Sequence, residues 1–280
     1  MTILWNRRAL MLGAVAAGLA GSTARAAAPP FASRRIAVTV RGTGRDILLI
    51  PGLASGPAIW SGVVAALPGW RCHLVHVRGF AGLAADANAS GPLLAPLADE
   101  IARYVAAAGL KRPAIVGHSM GGTLAMMLGA RGIAGRVMVV DMLPAGAAMV
   151  GGTASGLGFL ADQLSGYLTG TVAGRRYLAQ IVGQAPGARG SDPDVIANAL
   201  RDLANVDLGP QLPRITMPFA VVYAVGSDAQ QAAAITARFR AAYAPRRDTR
   251  LLPIGPSGHR VMADQPTRFI AMLKDFLGAI

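Results

Sequence analysis

The amino-acid sequence predicts an α/β fold: a mostly parallel sheet with helices on both faces. Three observations carry that prediction. Short β-branched runs alternate with longer stretches of helical spacing along most of the chain. One strand, at 114–117, runs through a glycine-flanked turn directly into a helix. Between two buried strands lie about seventy residues without strand character, 144–214, which read as an inserted, mainly helical cap.

Taken in order, the first strand is expected at 35–40 and the second at 46–50, the latter apolar and ended by Pro51-Gly52. A helix follows at 57–67, and then a strand at 72–77 that closes on Arg78-Gly79. The spacing of Leu93, Leu97, Ile101 and Val105 predicts a helix over 93–108. The strand at 114–117 leads to a helix over 123–130, and Val137-Met138-Val139-Val140-Asp141 is a further strand. Within the cap, 158–168 and 195–204 have helical character, and Ser191-Asp192-Pro193 reads as a helix start with Ser or Asp capping and proline in the first turn. After the cap come a strand at 219–225, a helix at 230–243, a strand at 250–254 and a last helix at 267–277.

Composition fits one large domain with an insertion. The chain has 280 residues, of which 53% are hydrophobic and 15% charged, far from a disordered composition. No uninterrupted apolar run reaches the roughly 18–20 residues of a spanning helix, so no stable membrane span is expected. The formal charge is +13, but almost all of it is arginine, with Lys only at 111 and 274, and no basic tract exceeds a pair. Scattered arginines argue against nucleic-acid binding. A single cysteine, Cys72, allows no intramolecular disulfide. Four histidines are little material for a metal site, and His73 and His76, three apart on a strand, point to opposite faces. Neither a metal nor an organic cofactor is expected.

Residues 1–26 read as an export signal. A twin arginine, Arg7-Arg8, precedes a weakly hydrophobic run extending to Gly21, and Ala24-Arg25-Ala26 fits an A-x-A cleavage site. The pattern resembles a bacterial twin-arginine signal, which implies a periplasmic or secreted protein. The expected domain division is therefore 1–26 as signal, 27–143 and 215–280 as the sheet domain, and 144–214 as the cap.

Gly117-His118-Ser119-Met120-Gly121 carries the chemistry. Its G-x-S-x-G spacing, placed between a strand and a helix, is the context of a nucleophile elbow, where the turn crowds the backbone and leaves no room for side chains beside the serine. Ser119 is the expected nucleophile, and the N–H of Met120, at the start of the following helix, can face an oxyanion. A serine hydroxyl needs a base. His259 stands in the coil after the last strand, at the carboxyl edge that the elbow shares, and is the expected base. His118 points away from the serine's side and is read as a packing residue, as are His73 and His76. For the acid that orients the base, Asp228 and Asp141 both follow late strands; Asp228 is the preferred choice and Asp141 the alternative. Asp264, after the histidine, is read as a cap of the last helix. The second oxyanion donor is expected from Pro51-Gly52-Leu53, as the N–H of Leu53.

Pro51-Gly52 with Trp60, Arg78-Gly79-Phe80, Gly117-His118-Ser119-Met120-Gly121-Gly122 and Ser257-Gly258-His259 together resemble the α/β-hydrolase superfamily, in the family's order and over most of the chain after the signal. The resemblance implies a mostly parallel eight-stranded sheet flanked by helices, a cap between Asp141 and Phe219, and a Ser-His-Asp triad. It implies a serine hydrolase, a carboxylesterase working through an acyl-enzyme, and the Leu, Met, Phe and Tyr content of the cap points to esters of small or medium apolar molecules. Hydrolysis of lactones, amides or C–C bonds is the alternative within the same chemistry. Serine rather than aspartate at the elbow argues against dehalogenase and epoxide-hydrolase reactions, and no His-Gly-Gly-Gly segment marks the hormone-sensitive-lipase branch. The competing classes are a non-enzymatic ligand binder on the same fold and an oxidoreductase. The latter is suggested only by Gly152, Gly156 and Gly158, which lack a suitable preceding strand and a Tyr-x-x-x-Lys partner.

Overall fold

The computed structural model describes residues 31–146, 171–183 and 187–278. The export signal expected at 1–26, the glycine run at 152–158 and the helix expected at 158–168 lie outside these residues.

Seven strands form one sheet: β1 (Ile36–Arg41), β2 (Arg45–Ile50), β3 (Trp70–Val77), β4 (Ala114–His118), β5 (Arg136–Val140), β6 (Phe219–Ala224) and β7 (Arg250–Ile254). Their order is β1-β3-β2-β4-β5-β6-β7. Among these described strands only β1 runs antiparallel to its neighbour, with Ile36 opposite Val77, and the other strand pairings are parallel. The resemblance implied eight strands. Among the described residues there are seven, the number that the β-branched runs themselves predicted, and β1 is the outermost strand on its side.

The eight described α-helices are α1 (Ser61–Ala66), α2 (Leu94–Ala107), α3 (Met120–Ala130), α4 (Val172–Gly183), α5 (Pro193–Asn205), α6 (Ala229–Ala242), α7 (Val261–Asp264) and α8 (Pro266–Leu277). Strand alternation sends one set of side chains to each face. Leu48, Ile50, Ile115, Val137, Val139, Val221 and Tyr223 pack with α2, α3, α5 and α6. Ile47, Leu49, Val116, Met138, Val140 and Val222 pack with α1 and α8. The helices answer with matching stripes: Leu94, Leu97, Ala98, Ile101 and Val105 are the buried face of α2, and Phe269, Leu273 and Phe276 that of α8. The left-handed Gly278 (φ 62°) then ends α8 with its N–H on the Asp275 carbonyl.

The described part of the segment between β5 and β6 around 192–202 is tied to this core. Asp192 caps α5 by accepting from the N–H groups of Asp194 and Val195, with Pro193 at the first position, as the sequence suggests. Val195, Ile196 and Ala199 of α5 belong to the buried cluster on the α2 face. Asp202 reaches from α5 to the start of α2, where its Oδ2 accepts from Leu93 N (2.6 Å) and Leu94 N (2.9 Å). An acid at a helix N-terminus satisfies donors that the helix leaves unpaired.

Parallel pairing has one functional consequence. The carboxyl ends of β2, β4, β5 and β7 all open onto the same edge of the sheet, and the residues that follow them are Pro51-Gly52-Leu53, Ser119, Asp141 and the loop bearing His259. The rigidity of that edge rests on the sheet's centre. Ile115 on β4 is fully buried, and Ile115→Ala is expected to lower the unfolding free energy by about 2–5 kcal/mol in denaturant titration. A loss below about 1 kcal/mol would contradict a close-packed centre.

Candidate active site

Ser119 occupies a left-handed conformation, φ 52° and ψ −122°, between β4 and α3. A non-glycine residue there is strained. It is held by its own main chain: Ser119 N–H donates to Val140 O (2.9 Å), and Ser119 O accepts from Gly122 N (2.7 Å) and Thr123 N (3.2 Å). The glycines make room for this turn. A Cβ on Gly117 would collide with the Gly121 carbonyl, and one on Gly121 with the carbonyls of Ile50 and Pro51. Ser119 is half-buried, and Met120 is the first residue of α3, so its N–H is among those a helix leaves without an internal partner.

Gly52 lies against the elbow from the β2 side. A Cβ on Gly52 would stand 2.8 Å from His118 Nδ1 and 3.1 Å from Ser119 Cβ. Leu53 follows it, half-buried, in the turn that Ser55 N–H closes onto Gly52 O (3.2 Å). The N–H groups of Leu53 and Met120 are thus carried by the two chain segments that meet at Ser119.

His259 receives the carboxylate of Asp141, not that of Asp228. Its Nδ1 lies 2.6 Å from Asp141 Oδ2. A carboxylate only accepts, so in the neutral ring Nδ1 carries the proton and Nε2 has the lone pair. Asp141 is 5% exposed, and its other oxygen accepts from Ala224 N–H (2.9 Å). Its main chain is also left-handed (φ 51°), with its N–H on Val222 O (2.7 Å). The buried carboxylate therefore has a donor on each oxygen, the condition for keeping a charge inside a protein.

The preferred expectation, Asp228, is corrected by this arrangement. Asp228 is exposed, four residues past the end of β6, and is the N-cap of α6; its Oδ1 accepts from Gln231 N–H (2.6 Å). Two sequence signals could have separated the acids. Asp228-Ala229-Gln230-Gln231 has capping-box spacing. Asp141 is embedded in Val139-Val140-Asp141-Met142-Leu143, where a charge must be buried and therefore paired.

Two further residues hold the histidine loop. Asp264, expected to cap the last helix, instead turns its Oδ2 back to Gly258 N–H (2.8 Å) and Ser257 Oγ (3.3 Å). His118, expected to pack, also donates: its Nε2–H reaches the main-chain oxygen of His259 (2.9 Å), and the two rings lie 4.7 Å apart. His73 and His76 stand apart from the site. His73 bonds Tyr104 Oη and Asp46, and His76 Nε2 bonds Phe80 O. Among the described residues, no group of three His, Cys, Asp or Glu side chains could hold a metal ion, and no helix is long and apolar enough to cross a membrane.

A family model described as "Alpha/beta hydrolase family" matches residues 47–272. The chain is 28% identical over 207 residues to a pimeloyl-[acyl-carrier protein] methyl ester esterase of Vibrio atlanticus, a match that covers 66% of this chain and 77% of the relative. In fold it is similar to an esterase from Exiguobacterium antarcticum (TM-score 0.66, 18% identity), covering 87% of this chain and 96% of that one. It is likewise similar to an enol-lactonase from Burkholderia xenovorans (TM-score 0.62, 18% identity, 87% and 96% covered).

Burial, followed by repulsion from His259 when that ring is protonated and from Arg260, pushes the His118 imidazole down from 6.5 to about 3. The folded protein therefore refuses a proton that an unfolded histidine takes up. The stability carried by this neutral ring is complete above about pH 6.5 and declines as the pH falls from there towards 3. Urea unfolding between those limits is expected to show a steeper loss of stability for the native protein than for His118→Gln, which keeps a donor for the His259 carbonyl but does not titrate. Parallel pH profiles would contradict a buried neutral His118.

Proposed function

We propose, on the premise that this chain belongs to the alpha/beta hydrolase family, that it is a serine hydrolase of carboxylic esters with Ser119, His259 and Asp141 as its triad. The observation that carries the reading is the Asp141–His259 bond at the same sheet edge as the strained Ser119.

The chemistry follows from the tautomer. With the Nδ1 proton committed to Asp141, the His259 Nε2 lone pair takes the proton of Ser119 as Oγ attacks the acyl carbon. The carbonyl π pair moves to oxygen, where the N–H groups of Leu53 and Met120 meet the developing negative charge. Each such donor is worth about 10²–10³ in rate. Collapse of the tetrahedral species breaks the bond to the leaving alcohol, which takes the proton from imidazolium Nε2. Water then gives a proton to Nε2 and attacks the acyl-serine, and the acid leaves as Ser119 recovers its proton. Asp141 stays ionised throughout and stabilises the imidazolium.

Small or medium apolar esters are the proposed substrates. The pimeloyl methyl ester esterase name of the Vibrio relative and the esterase and lactonase structures of the same fold support ester or lactone carbonyls as the reacting group. The test is turnover of p-nitrophenyl esters of graded chain length, alongside lactones and anilides, with covalent labelling by a fluorophosphonate. The native protein is expected to hydrolyse the shorter esters and take up one label. Ser119→Ala is expected to lose both, with turnover down by at least about 10³-fold. Labelling that persists in Ser119→Ala would contradict the assignment.

A further inference from the structure

The segment entering α5 touches the loop that carries Leu53. Ser191 Oγ donates to Ala54 O (3.0 Å) and accepts from Ala81 N–H (2.8 Å). On either side, Asp192 N–H donates to Gly79 O (2.7 Å) and Gly82 N–H to Gly190 O (3.2 Å). One hydroxyl therefore joins three separate stretches of chain: the turn after β2, the turn after β3, and the start of α5.

Both of its partners are strained. Ala54 has φ 56° and Ala81 φ 47°, the left-handed region that favours glycine. Alanine has no polar side chain with which to hold itself there, so such conformations persist only where the surroundings fix them. At Ala54, which is fully buried, the surroundings include the Ser191 hydroxyl. The Ala54 carbonyl lies one residue past Leu53, in the turn closed by Ser55 N–H onto Gly52 O. Holding that carbonyl fixes the turn, and with it the direction of the Leu53 N–H.

We propose that Ser191 is a positioning residue for the oxyanion pocket, acting through Ala54 on the N–H of Leu53. The inference rests on the hydrolase reading above and extends it to a residue outside the triad. Ser191 touches neither substrate nor reacting atoms in this role. It makes the placement of an oxyanion donor depend on the segment between β5 and β6, which no residue of the β2 turn could do alone. Because the donor matters only once negative charge has formed on the carbonyl oxygen, its misplacement lowers kcat and leaves KM nearly unchanged.

The experiment compares the full-length native protein with Ser191→Ala and Ser191→Thr. Active sites are titrated with a fluorophosphonate, kcat and KM are measured on p-nitrophenyl butyrate, and inhibition is measured with phenylboronic acid. The tetrahedral boronate places an oxygen where the oxyanion forms. Ser191→Ala is expected to lower kcat per titrated site by about tenfold to a hundredfold, with KM within about threefold and boronate affinity weakened in step with kcat. Ser191→Thr keeps the hydroxyl and is expected to restore kcat to within about threefold. Should Ser191→Ala not fold, Ser191→Cys replaces the hydroxyl by a weaker donor and acceptor, and the same fall in kcat per titrated site is expected. Loss of thermal stability with kcat per site and boronate affinity unchanged overturns the proposal and leaves the hydrolase reading standing. Labelling that survives Ser119→Ala overturns that reading and this proposal with it.

Discussion

The left-handed turn at Ser119 is the constraint on which the rest of this edge depends. Its backbone costs about 1–3 kcal/mol, a cost that surrounding contacts must offset. The contacts are specific: a main-chain bond from Ser119 to β5, two bonds from α3 back to the Ser119 carbonyl, and the close approach of Gly117 to Gly121 and of Gly121 to the end of β2. At these two glycines α3 lies so near the sheet that no side chain fits between them. The contacts also present the serine above a helix N-terminus, where unpaired N–H groups favour negative charge. A hydroxyl on a relaxed loop would have neither the exposure nor that field.

The proposed triad also needs its base and its acid at the edge that holds Ser119, although the strands that bear them are far apart in sequence. The sheet meets this need through parallel pairing alone, because β4, β5 and β7 end on one edge. Fine placement then falls to polar contacts made by buried groups. Asp141 is fixed by Ala224 N–H and by its own left-handed backbone. The His259 loop is fixed by Asp264 at Gly258 and by His118 at its carbonyl. His118 suits that task because burial favours its uncharged form: a cationic ring 4.7 Å from His259 would oppose the imidazolium of the proposed mechanism. Ser191 extends the same logic to the other side of the serine, where it braces the turn bearing Leu53.

Most of this architecture is legible in the sequence because its signals are local. The seven described strands are short apolar runs, several of them β-branched, and α2, α5 and α8 have clear stripes; the elbow is marked by its glycines, although the contact of Gly121 with Ile50 and Pro51 joins segments far apart in sequence. The positions of Ser119 and His259 follow from strand ends and need no knowledge of packing. The acid was harder. Asp141 and Asp228 both follow late strands, and the choice between them depends on which one the tertiary structure buries. The cue at Asp228 was its capping-box spacing with Gln231, and at Asp141 its apolar neighbours. The contacts of Ser191 were illegible for a different reason. They run from residue 191 to residues 54 and 81, and the local pattern advertised only a helix start, which Asp192 supplies.

The central claim is that the short Asp141–His259 bond sets the base for Ser119. The most direct measurement is ester turnover per titrated active site in Asp141→Asn and Asp228→Asn proteins. An asparagine at 141 keeps the shape but can leave the ring in the wrong tautomer, so kcat is predicted to fall by about 10⁴-fold. An asparagine at 228 still caps α6, so its kcat is predicted to stay within about twofold of the native value. A large loss at Asp228 with full activity in Asp141→Asn would contradict the account.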